Sequence, residues 1–185
     1  MIPIRFGEVP GRPPTYLFLG AHCDDIEIGC GGLLQLLAAR YPRMSFEWVV
    51  FTSEPERVAE TRAAAARLLP AARAPQLRFE SFRGSYFPDQ WGLIKDSFEA
   101  LRHRVRPDLI LTHHLADRHQ DHRLLAEMTW TTFRDHLILE YEIPKYEGDL
   151  GQPNFYAPID RAAADHKLAV LADCFPSQRT RTWFS

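Results

Sequence analysis

Apolar and polar positions alternate in blocks along this chain. Tyr16-Leu17-Phe18-Leu19 is a short unbroken apolar run, the pattern of a strand buried on both faces, and predicts a strand over 15–20. Residues 29–40 (GCGGLLQLLAAR) read as a helix that turns Leu33, Leu34, Leu36 and Leu37 inward. FEWVVF (46–51) is the next strand, and an alanine-rich helix over 56–69 follows, stopped by Pro70. A short strand over 77–82 and a helix over 91–104 precede Pro107 and the apolar strand DLILT (108–112). A helix over 121–135 leads to a strand over 137–141. Beyond a Pro/Gly-rich loop, NFYAP (154–158) predicts a late strand and 160–173 a closing helix, while the Pro/Gly-punctuated residues 1–14 are an irregular lead-in.

Strands alternating with helices imply an α/β fold with a mainly parallel sheet, a Rossmann-like three-layer sandwich. The 185 residues fit one domain, 1–185, with a core that needs no staples. A net charge of -2 gives no electrostatic case for nucleic acid as a partner. No apolar run approaches the ~18 residues of a transmembrane helix, and MIPIRFGEVPGRPPTY lacks the basic-then-apolar layout of a secretory signal. Cys23, Cys30 and Cys174 form no CxxC pair and read as reduced thiols, which makes a cytoplasmic location the default expectation.

The chemistry concentrates in two places. In LGAHCDDIEIGCGG (19–32), an imidazole and two adjacent carboxylates stand where the first strand ends. Neighbouring carboxylates repel, and burying them costs free energy unless a cation or a proton neutralises them. His22 and Asp25 are three apart, so they share a face if helix begins after Asp24. The second cluster, THHLADRHQDH (112–122), follows the 108–112 strand and places His119 and His122 three apart at a helix start. Both clusters fall at the carboxyl ends of strands, where open α/β sheets bind ligands. Two histidines and a carboxylate with open positions make a catalytic metal site rather than a closed structural one.

AHCDD with GCGG, followed by DRHQDH, resembles the LmbE/PIG-L family of zinc-dependent N-deacetylases, whose usual signatures are AHPDD and HPDH or HQDH. VVFTSEPERVAETRAAAARLL is similar to the family's T-x-G-E segment and R-x-x-E helix, and LILEYEIP to its bacterial sugar-deacetylase members. The resemblance covers most of residues 15–185 and departs from the pattern in three ways. Cys23 stands in place of proline, TSEPE lacks a glycine, and the chain stops at RTWFS where relatives commonly continue with another strand and helix. By position, the resemblance implies zinc held by His22, Asp25 and His122, with Asp24 as general base. It also implies that His119 stabilises the oxyanion or protonates the amine, that Asp121 orients His119 and keeps it charged, and that Arg57 contacts substrate. The implied reaction removes an acetyl group from an N-acetylated amino sugar or sugar conjugate, a small-molecule partner. The chemistry agrees: an amide needs an activated water, and Asp24, beside a ligand but not bound, can take that water's proton.

Other residues are weaker candidates. Cys23 adjoins a ligand and reads as a packed small hydrophobe. His113 and His114 close a strand and either line the pocket as substrate contacts or cap the sheet. Tyr86, Phe87 and Trp91 offer stacking surfaces for a sugar or core packing, while His103, His136 and His166 read as surface. Among rival functions, a dinucleotide module is disfavoured because the glycines make no GxGxxG and two aspartates would repel pyrophosphate. A non-haem iron oxygenase shares the donor set but uses a closer H-x-D spacing on an all-β fold. A catalytically impaired binding relative, or a hydrolase of another amide, remains the alternative.

Overall fold

The computed structural model describes residues 11–69 and 75–181; Pro70 and most of the lead-in lie outside them. In chain order the elements are β1 (Thr15–Gly20), α1 (Asp25–Arg40), β2 (Ser45–Val50), α2 (Pro55–Leu68), β3 (Gln76–Phe79), α3 (Trp91–Arg104), β4 (Leu109–His113), α4 (Gln120–Thr132), β5 (Ile138–Tyr141) and α5 (Arg161–Cys174). The five strands form one sheet in the order β3-β2-β1-β4-β5, and every pairing is parallel. The α/β three-layer fold expected from the alternation is therefore the one formed.

Alternate residues of β1 supply both layers, as the two-residue period of a strand requires. Tyr16 and Phe18 join Leu34, Trp48, Leu68 and Val170 under α1, α2 and α5. Leu17 and Leu19 join Ile94, Phe98, Ile110 and Leu125 under α3 and α4. β1 pairs with β2 on one side and β4 on the other, so the connections leave in opposite directions and open a crevice at the carboxyl ends of β1 and β4. No helix among the described residues is long and apolar enough to cross a membrane.

Two expectations change. Residues 151–160 run as irregular, largely exposed chain, so the late strand over 154–158 does not form. Pro153 and Pro158 bracket it, and neither can donate to a sheet ladder. In addition, α1 starts at Asp25, so the glycines at 29–32 lie within the helix, not at its start. Two of them stand where neighbours leave no room for a side chain. A Cβ on Gly29 would stand 2.2 Å from Tyr141 Cδ2, and one on Gly32 would stand 2.7 Å from Ile159 Cδ1.

Candidate metal and catalytic centre

At the end of β1 the chain turns sharply through residues 21–24 into α1. Asp24 makes the turn at φ 112°, a conformation side-chain-bearing residues rarely adopt. Strain of this kind persists only where its surroundings hold it. Here Arg57 of α2 donates to the Cys23 carbonyl and pairs with Asp24, Nη2 to Oδ2, at 2.8 Å. Asp25 Oδ2 accepts from the His22 N–H at 2.7 Å, closing the turn from the other side.

Donor atoms of three residues converge beside this turn. His22 Nδ1 lies 3.2 Å from His122 Nε2 and 3.5 Å from Asp25 Oδ2, and His122 Nε2 lies 3.4 Å from Asp25 Oδ1. Donors ~2.0–2.1 Å from a tetrahedral zinc stand about 3.3–3.4 Å apart, so the spacing fits a single ion. Two overlapping trios also have donors within 4.8 Å: His22, His119 and His122, and Asp25, His113 and His122. The second is less available, because His113 Nε2 already accepts from the Ala21 N–H at 3.0 Å.

A second layer of carboxylates orients the rings. His122 Nδ1 donates to Asp117 Oδ2 at 3.0 Å, which leaves the Nε2 lone pair for the centre. His22 Nε2 donates to Asp121 Oδ2 at 2.9 Å, freeing Nδ1 in the same way. Asp121 is fully buried and also accepts from the backbone N–H groups of Ser85 and Phe87, at 2.5 and 3.1 Å. Its carboxylate thus serves His22 and the 85–87 loop, and it meets His119 only through its backbone N–H, which donates to His119 Nδ1 at 3.3 Å. This corrects the orienting role expected of Asp121. Asp117, in the loop before α4 and five residues ahead of His122, is a partner that local spacing does not single out. It also accepts from the His119 N–H at 2.8 Å and pairs with Lys145 at 3.0 Å.

The electrostatics invite positive charge. Burial works against a charged ring, yet hydrogen bonds to Asp121 and Asp25 raise His22 to about 10. Burial likewise opposes charge on His122, but Asp25 and Asp117 raise it to about 9. Protons therefore stand on these rings where a cation would take their place. Burial would raise Asp25, but His122 and His113 outweigh it and hold this carboxyl well below its usual range. Burial, then the neighbouring Asp25, pushes Asp24 up to about 7 while Arg57 opposes the rise. Burial, with His122 and His22 nearby, lowers His119, so the expected charged form is not favoured.

The centre opens into a cleft of about 460 Å³. His22, Asp24, Asp25, His119 and His122 line it, with Thr52, Ser85, Tyr146, Gln178 and Arg181 among the wall residues. Arg57 reaches the cleft too, but its guanidinium is engaged with Asp24 instead of being free for substrate. His113 and His114 are absent from the lining. The first is fully buried and stacks on His122 with ring centroids 3.9 Å apart, and the second faces Glu140 at 3.7 Å. Cys23 packs in the core, as does Phe87, while Tyr86 and Trp91 are exposed.

The family described as PIG-L: GlcNAc-PI de-N-acetylase matches residues 17–133, a span that contains all three converging donors. Among solved structures, the zinc-inhibited form of teicoplanin deacetylase aligns with a TM-score of 0.72 at 13% identity, over 89% of this chain and 84% of that one. N,N'-diacetylchitobiose deacetylase from Pyrococcus horikoshii aligns at 0.62 and 17% identity, over 84% and 67% of the two chains. GalB, the 4-carboxy-2-hydroxymuconate hydratase of Pseudomonas putida, aligns at 0.62 and 20% identity, over 90% and 80%. At these identities the likeness establishes a shared fold. No curated protein matches the chain.

Proposed function

The chain belongs to the PIG-L (GlcNAc-PI de-N-acetylase) family, and from that premise we propose a metal-dependent hydrolase that removes the acetyl group from an N-acetylated amino sugar or sugar conjugate. The observation that carries this reading is the convergence of His22, Asp25 and His122, whose nearest donor atoms lie 3.2–3.5 Å apart pair by pair through the two oxygens of Asp25, with Asp24 beside them and held by a different partner. His22, Asp25 and His122 would hold a divalent ion such as zinc, which would supply Lewis-acid polarisation of the amide carbonyl and acidify water.

The chain's own residues perform the rest. Asp24 faces the cleft and takes the proton of the attacking water as its oxygen bonds to the acyl carbon. Its elevated carboxyl also suits it to pass that proton to the amine when the C–N bond breaks. His119 accepts at Nδ1, so its neutral ring carries the proton on Nε2 and can donate to the carbonyl oxygen as charge builds there. Arg57 holds Asp24 in place and limits how far its carboxyl rises. Asp117 and Asp121 orient the two ligating rings.

One matched structure is a deacetylase named for N,N'-diacetylchitobiose, which supports the substrate class. GalB supports a second reading, in which the same architecture adds water to a carbon–carbon double bond. Incubation with zinc, cobalt or manganese and either N,N'-diacetylchitobiose or N-acetylglucosamine should release acetate, and Asp24→Asn should abolish it. Absence of acetate with every metal, together with loss of a muconate's ultraviolet absorbance, would replace the first reading with the second.

A further inference from the structure

We propose that Glu60 and Ser177 are positioning residues that act through Arg57 to hold the Asp24 turn in its strained conformation. The inference rests on the reading of Asp24 as the base. The relevant contacts form a continuous chain from the carboxyl-terminal part of the fold to the cleft. Asp24 sits at φ 112°, and Arg57 grips two successive residues of that turn, through the Cys23 carbonyl and the Asp24 carboxylate. A guanidinium can serve two such acceptors only if its own rotamer is fixed.

Glu60 does the fixing. It lies one helical turn along α2 from Arg57, is 6% exposed, and places Oε2 3.5 Å from Arg57 Nε. That Nε is buried and makes no hydrogen bond, so the charge of Glu60 is its compensation. Glu60 is in turn held at both oxygens: Oε1 accepts from the Ser177 N–H at 2.8 Å and Oε2 from the Ser177 hydroxyl at 2.7 Å. Ser177 belongs to the short 3-10 turn Pro176–Gln178 that follows α5, and the next residue, Gln178, lines the cleft. A segment some 150 residues from the metal-binding turn thereby sets the geometry of the base, and a small misplacement of a reacting group is costly in rate.

The test compares Glu60→Gln, Ser177→Ala and Ser177→Thr with the wild-type chain loaded with zinc. In nitrogen-15 spectra, the Arg57 Nε–H signal, identified by its loss in Arg57→Lys, should exchange slowly in the wild type and at least ~10-fold faster in the first two variants. With N,N'-diacetylchitobiose as the probe, kcat should fall by about tenfold or more, the order expected when a catalytic group is mispositioned. KM and metal content should stay unchanged, and Ser177→Thr should restore both exchange and kcat. Unchanged Arg57 exchange and unchanged kcat in Glu60→Gln and Ser177→Ala would overturn the proposal. Ser177→Ala removes a single hydroxyl, so it keeps the question open to measurement if Glu60→Gln fails to fold. A wild-type chain that releases no acetate counts against the deacetylase reading alone, and the Arg57 exchange rates then decide this one.

Discussion

The carboxylate of Asp121 lies 2.9 Å from Nε2 of His22, which stands 99 positions earlier in the chain. The Asp121 backbone lies beside His119, yet its side chain turns to a ring from the other cluster. The two motifs thus interlock: Asp117 and Asp121, both from the second, orient His122 and His22 respectively.

Asp121→Asn should therefore weaken metal binding, by the ~10–100-fold typical of a lost outer partner. Competition against a chelator of known affinity measures this. Unchanged affinity with reduced turnover would return Asp121 to the service of His119.

Asp24 and Asp25 are adjacent but have different partners, Arg57 for one and the histidines for the other. Asp24→Asn should retain metal and lose at least ~10²-fold in turnover, the scale of a lost general base. Asp25→Ala should lose metal as well. Elemental analysis alongside the assay separates the two, and equal metal loss in both would contradict the division.

His119 tests which donors bind the ion. If His22, Asp25 and His122 hold it, His119→Ala should leave metal content intact while turnover falls. Loss of metal from this variant would favour the trio of His22, His119 and His122.

Metal binding should be proton-linked. His22 and His122 are raised to about 10 and about 9 in the metal-free protein, and each must give up a proton to bind an ion. Affinity should therefore climb with pH from 7 towards 10, with proton release near pH 7 that titration calorimetry in buffers of different ionisation enthalpy detects. The same raised values stabilise the metal-free fold fully below the unfolded histidine value near ~6.5. That contribution should be lost as pH rises through about 9 and about 10. Absence of proton release at pH 7 would mean the rings are already neutral.

Gly29→Ala places a methyl 2.2 Å from a ring carbon of Tyr141, whose hydroxyl is tied to the Leu19 carbonyl at 2.6 Å. The ring cannot yield easily, so the variant should lose about 1–3 kcal/mol, the usual cost of overpacking. Urea unfolding measures it, and an unchanged midpoint would show that the ring moves freely.

The sequence by itself determined the layering. Double-faced apolar runs such as Tyr16–Leu19 have to be buried on both sides, and where strands alternate with helices a parallel sheet covered by those helices does that. It also marked both polar clusters, because His and Asp types three apart at strand ends are readable from spacing alone. It misjudged 154–158, where apolar character suggested a strand but Pro153 and Pro158 withhold ladder donors. It also left the start of α1 four residues too late, at Gly29 instead of Asp25. Only the tertiary structure decided the partners. Arg57 turns to Asp24, Asp121 to His22, and His113 into the core against Ala21, each across 33 or more positions. Side-chain direction depends on packing between elements distant in sequence, and no local spacing encodes that.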